Sequence, residues 1–331
     1  MLQFFRNSNL HTVLFLILYV MLFFADIFFV NQPTLQDFQL NANSLSLGVY
    51  KIIEQVNWLQ FPLAFSLIIL QALTINGFVN KNRLAKHFNY ITAICYILII
   101  NCFTDVDSLN PVLIANTFLL LGLHALYHTY EKKVSTIDIY NAGFYVALAS
   151  LCYFSTSIYF LGFSIGLIVM RPLDWREGAI LLSGFVTPLF LVGTYFYLTD
   201  NFMWWWEHDI ARHFNGIIHN LKFSWAFYLG LGIIVFVFLW SLLNVSNLYY
   251  RTTIREQKGI NIIFLLVFVT SLSLLIQHTL DIFYFAILAI PITILLSMNL
   301  QSIKKRSAAE FIHLLFLLAC ISIQYQEVLG R

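Results

Sequence analysis

Charge is what this sequence has least of: Asp, Glu, Lys and Arg make up 10% of its 331 residues, against about 25% in an ordinary soluble domain. A chain that is 60% hydrophobic cannot hide its apolar surface in one water-facing core, so lipid must be its solvent. Cysteine is scarce as well. Cys95, Cys102, Cys152 and Cys320 all fall in apolar segments without CxxC spacing, and neither a structural disulfide nor a zinc site is expected from them. There is no internal repeat, no low-complexity stretch and no soluble domain, so residues 1–331 read as a single integral membrane domain. No cofactor and no nucleic-acid partner is expected, with a divalent metal left undecided.

What is there is a succession of apolar runs of about the length that crosses a bilayer. They lie at 12–30, 58–79, 88–103, 111–130, 138–155, 157–170, 178–198, 223–243, 259–276, 282–299 and 309–325. The fold class this predicts is all-α, a polytopic transmembrane bundle of about eleven helices. The run from Thr12 to Val30 follows Arg6 and lacks an AxA-type cleavage site, so it reads as a retained signal anchor. The pair 138–170 is short for two crossings, and a single helix there would invert everything downstream.

Lys and Arg in short loops orient a membrane protein. With the amino terminus in the cytoplasm, only Lys51, Arg212, Lys222 and Arg331 of the 18 Lys and Arg fall outside. The expected location is therefore the cytoplasmic membrane of a bacterium, multi-pass, amino terminus inside. Most acids then sit outside, and chemistry belongs there. The two long outer loops are 31–57 and 199–222.

The second of these contains NFMWWWEHDIARHFNGIIHNLK, 201–222. At helical spacing Met203, Trp206, Ile210, Phe214, Ile217 and Leu221 form an apolar stripe, opposite His208, Asp209, Arg212, Asn215 and His219. This predicts an amphipathic helix lying in the interface with Trp204, Trp205 and Trp206 at headgroup level. Its polar face either meets water and lipid phosphate or lids a headgroup site, with Arg212 as a fork for phosphate. Asp26 interrupts an apolar run near its outer end, where a carboxylate is costly without a partner. It is the first candidate for a catalytic base, with Glu54 second and Asp37 in the same loop. His208, His213, His278 and Lys51 complete the candidate phosphate-binding set. Asp105 and Asp107 form a DxD-like pair that reads either as solvated loop acids or as metal ligands. His124 and His128, four apart on one helix face, read as packing histidines because no third ligand is near. RPLDWREG, 171–178, reads as a salt-bridged turn anchored by Trp175.

Two longer segments carry a resemblance. YNAGFYVALASLCYFSTSIYFLGFSIGLIVMRP, 140–172, looks like the glycine-containing helix pair that ends in a basic turn in the GT-C superfamily of polytopic glycosyltransferases. HTLDIFYFAILAIPITILLS, 278–297, is similar to the Tyr-containing, proline-punctuated helix of the same superfamily. RPLDWREG followed by FVTPLF also resembles a Bacteroidota inner-membrane family of uncharacterised role. The GT-C resemblance implies a GT-C-like fold and transfer of a sugar from a polyprenyl-phosphate carrier at the outer face, by an active enzyme or a degenerate relative. GT-C enzymes place an acidic motif at the start of the first outer loop, a position that only Asp26 and Asp37 approach here. Two other roles stay open. One is a non-catalytic structural subunit held among other envelope proteins and membrane lipids, and the other is a transporter, for which midplane charges and repeated halves are few.

Overall fold

The computed structural model describes residues 5, 10–23, 42–56, 59–85, 88–103, 109–130, 132, 134–172, 174–214, 225–244, 249, 252–273, 282–303 and 305–324. Every element in them is helical. In chain order these are α1 (Leu10–Phe23), α2 (Ser44–Ile53), α3 (Gln60–Lys81), α4 (Ile91–Phe103), α5 (Pro111–His128), α6 (Thr136–Cys152) and α7 (Tyr159–Met170). Then follow α8 (Trp175–Leu198), α9 (Phe202–Trp205), α10 (Trp225–Leu243), α11 (Ile254–Ser273), α12 (Ala289–Ser302) and α13 (Arg306–Gln324). Five stretches among the described residues are long and apolar enough to cross a membrane: α3, α5, α8, α11 and Phe285–Ser302. Shorter apolar helices lie at His11–Phe23, Ile91–Phe103, Phe154–Met170, Leu231–Leu243 and Ser307–Ser322. Helices suit lipid because they satisfy their backbone polar groups within the segment.

Caps fix the ends. Asn110 accepts a hydrogen bond from the Val112 N–H at the start of α5, with Pro111 at the first helical position. Asp174 does the same for α8 through the Arg176 N–H at 3.0 Å. At the ends of α3 and α8 the chain turns through left-handed residues, Arg83 (φ 56°) and Asp200 (φ 55°). The Leu84 N–H bonds Val79 O at 3.0 Å, and the Asn201 N–H bonds Phe196 O at 2.9 Å, the paired closure of a Schellman turn.

Burial separates core from periphery. Every residue of α4 is buried, as a helix apolar all round should be, whereas α8 turns Leu182, Val186, Phe190 and Leu191 outward. The tightest crossing joins α6 to α8. A Cβ added at Gly143 would lie 2.2 Å from Leu181 O, and one at Gly184 would lie 2.2 Å from Tyr140 O, so backbone meets backbone through small residues.

Cross-helix hydrogen bonds define two ends. At one, Arg171, just after α7, donates to Thr129 O at 3.1 Å, Lys132 O at 2.9 Å and Ser135 Oγ, and pairs with Glu177 at 2.9 Å. RPLDWREG is thus the compact salt-bridged turn that its charges suggest. Ser135 immediately precedes α6, so the chain runs out along α6, turns through the 3-10 helix Phe154–Ile158, and returns along α7. Lys258 and Arg255 reach Met170 O and Asn82 Oδ1 at the same end, each at 3.2 Å. At the other end, Tyr50 donates to Leu109 O at 2.8 Å, Asn116 to Ala286 O at 2.9 Å and Tyr159 to Ile287 O at 2.9 Å.

Two expectations need correction here. The loop 31–57 contains α2, whose Ser46, Tyr50 and Ile53 are buried, a spacing that only a ten-residue stretch of loop-like composition carried. Cys102 and Cys320 form a disulfide across 218 residues. Absence of a CxxC spacing says nothing about cysteines on different helices, and here α4 and α13 pack side by side.

Candidate functional site

The start of α2, the turn after α6 and the segment after α8 meet at the end of the bundle remote from Arg171. Asn43 ties the first two: its N–H donates to Cys152 O at 3.2 Å and its Nδ2 to Ser150 O at 3.1 Å. Ser46 Oγ adds a bond to Cys152 O at 3.0 Å. Asp209 brings in the third segment. Its side chain is buried, and the Ser44 N–H points at both carboxylate oxygens, each 3.1 Å away. An anion at the N-terminus of α2 satisfies an orphan amide and meets the positive end of the helix dipole.

Asp209 also orders its neighbours. His208 Nδ1 lies 3.0 Å from Asp209 Oδ1. An imidazole that gives its Nδ1–H to a carboxylate keeps Nε2 as an acceptor, and Arg212 Nη1 stands 3.3 Å from that Nε2. Arg212 Nε donates to His213 Nε2 at 3.3 Å, and Nη2 donates to Ala42 O at 3.3 Å and Asn43 Oδ1 at 3.2 Å. Trp204 stacks on His208 at 4.7 Å and Phe154 on His213 at 4.6 Å, which fixes both rings.

Beneath this cluster lies a cavity of about 310 Å³, walled by Leu151, Phe154, Phe160, Phe185, Leu189 and Ile210, with Asn43, Ser150, Ser157, Trp205 and Asp209 supplying polar atoms. Trp205 is 5% exposed, and its Nε1–H has no hydrogen-bond partner among the described residues. A buried indole N–H normally finds an acceptor. The arrangement suits an apolar body carrying an oxygen-rich group.

The segment 202–214 therefore departs from the regular helix expected of it. After α9 the chain makes a π turn, Trp206–Ile210, and a 3-10 turn, Ala211–Phe214, so the assumed period of 3.6 residues fails. Trp205 and Asp209 turn inward, while Met203, Trp204 and Trp206 are exposed. His208, Asp209 and Arg212 contact protein, Glu207 is exposed, and Ile210 lines the cavity rather than continuing the outward stripe.

Of the sequence-derived site residues, the structure gathers His208, Arg212 and His213. Lys51 and Glu54 are exposed at the far end of α2, roughly 10–15 Å along its axis from Ser44 at 1.5 Å per residue, so they do not join the cluster. Asp26, Asp37, Asp105, Asp107, His219 and His278 lie outside the described residues. Sequence reasoning missed Asn43, Ser44 and Trp205 as site residues and placed Asp209 on the polar face without naming its partner. An Asn-Ser pair ahead of an apolar run is a capping signal that could have shown the first two. His124 packs edge-on to Phe78, while His128 sits 3.2 Å from Asp138. Among the described residues, no three His, Cys, Asp or Glu side chains group as metal ligands. No family model, curated protein or solved structure matches the chain.

Proposed function

We propose that this chain crosses a bacterial cytoplasmic membrane about eleven times, amino terminus inside, and acts as a GT-C-like glycosyltransferase or a degenerate relative. Its donor would be a sugar on a polyprenyl phosphate, bound at the outer face. The observation that carries this reading is the Arg212 cluster set above an apolar cavity with an unpartnered Trp205 N–H. The apolar walls suit the phosphate-proximal end of an isoprenoid, and the polar roof suits the phosphate. The Arg212 contacts to His213, His208, Ala42 and Asn43 are 3.2–3.3 Å long, whereas a charge-assisted bond to phosphate settles nearer 2.7–2.9 Å. A phosphate would therefore displace them and draw the guanidinium onto itself, stabilising the leaving group.

Asp209 is unsuited to be the base, since both its oxygens hold the Ser44 amide. The proton of the acceptor falls to Asp26 in this account. The alternative role as a structural subunit draws support from the same cluster, because Asp209, His208 and Arg212 bind one another and clamp three segments.

Sugar transfer from a polyprenyl-phosphate-linked donor in detergent separates the two. Arg212→Lys should lower transfer by about tenfold or more at normal abundance, because an ammonium loses the bidentate fork. Full transfer by both Arg212→Lys and Asp26→Asn sinks the catalytic reading and leaves the structural role.

A further inference from the structure

The opposite end of the bundle holds a second cleft. It has a volume of about 340 Å³ and is lined by Lys81, Asn82 and Arg83 from the end of α3 and Thr253, Arg255 and Glu256 from the start of α11. Arg255 Nη2 donates to Asn82 Oδ1 at 3.2 Å, which joins the two walls. Three cations thus share one concavity. Among the described residues, no carboxylate lies within ion-pairing distance of Lys81, Arg83 or Arg255. The one acid among the described lining residues, Glu256, is engaged at its own helix terminus: its Oε2 accepts from the Thr253 N–H at 3.0 Å, and its N–H faces Thr253 Oγ1 at 3.4 Å. The N-terminus of α11 adds positive partial charge to the same place.

Arg83 is the wall residue whose backbone makes it separable from the fold. It occupies the left-handed position of the Schellman turn, φ 56°, where glycine is free of strain and an arginine is not. The backbone alone would favour glycine, so Arg83→Gly removes the cation from the cleft without straining the turn. Ile254, between two residues of the cleft, is 70% exposed, which places apolar surface beside the cations.

We propose that this cleft is a binding site for a phosphate group, carried by an anionic phospholipid headgroup or free in solution. Basic pockets between membrane helices bind such headgroups, and the exposed Ile254 favours the lipid. The site is independent of the transfer chemistry at the other end and stands or falls separately from it.

The test uses the purified full-length chain in a neutral detergent, with phosphatidylglycerol, phosphatidylcholine or inorganic phosphate added. Phosphatidylglycerol should raise the melting midpoint by a few degrees, and phosphatidylcholine should not. Arg83→Gly should melt in phosphatidylcholine at or above wild type, since glycine fits the backbone, yet bind phosphatidylglycerol about fivefold more weakly. Lys81→Gln, Arg83→Gln and Arg255→Gln together should weaken it roughly a hundredfold. A response to phosphatidylglycerol alone assigns the phosphate to lipid, and an equal response to inorganic phosphate assigns it to a soluble anion. An unchanged response in Arg83→Gly, or equal stabilisation by phosphatidylcholine, overturns the proposal.

Discussion

Asp209 holds the backbone N–H of Ser44 between its two carboxylate oxygens at 3.1 Å, across 165 residues of sequence. This contact joins the start of α2 and the segment after α8 into one surface. It also ties the orientation of His208, and through it Arg212, to the position of α2. Asp209→Ala should therefore lower stability by about 2–3 kcal/mol, combining a lost cap with an orphaned buried amide. Asp209→Asn should cost about half as much, since it keeps one acceptor and loses the charge. Thermal melting in detergent checks this, with protease sensitivity of 200–214 rising in step. A melting curve unmoved by Asp209→Ala would mean that the contact does not hold the segments together.

The α6–α8 crossing makes a contrast available within one helix. Gly184→Ala forces a methyl against Tyr140 O at 2.2 Å, whereas a Cβ at Gly178 meets nothing within 4 Å. The first should destabilise by about 2 kcal/mol or more. The second should be neutral, or stabilise by up to about 1 kcal/mol through helix propensity. Equal melting of the two variants would contradict the close approach.

Much of the framework is legible in sequence because hydropathy alone marks it. Long apolar runs announce α3, α5, α8 and α11, and basic residues mark their ends. Cross-helix contacts do not follow from such runs. That Gly143 faces Leu181, or that Cys102 meets Cys320, depends on packing angles among helices that are apolar on every side. The site was partly legible for a related reason. Arg212, His208 and His213 stood out as polar residues in an aromatic segment, but the π turn at Trp206–Ile210 has no sequence signature, and Ile210 lines the cavity instead of continuing the outward stripe. Asn43 and Ser44 gain meaning only once Asp209 reaches them from 165 residues away.

Orientation can be read from thiol chemistry. Cys102 and Cys320 lie near the ends of α4 and α13 that the proposed topology places outside, where disulfides persist. Non-reducing mass spectrometry should recover them joined. In a cysteine-free background, single cysteines at positions 83, 255 and 305 should resist an impermeant thiol reagent, while cysteines at the exposed positions 51 and 207 should react. Labelling at 255 without labelling at 207 would invert the assignment.

The most direct measurement of the central claim is sugar transfer from a polyprenyl-phosphate donor after the cavity has been filled. Ser157 lines that cavity, and Leu182 faces outward on α8. Ser157→Trp should abolish most transfer, by about tenfold or more, with abundance and melting preserved. Leu182→Trp, of equal bulk, should leave transfer unchanged. Transfer by Ser157→Trp at the wild-type rate, or no transfer by the wild-type protein itself, would contradict the account.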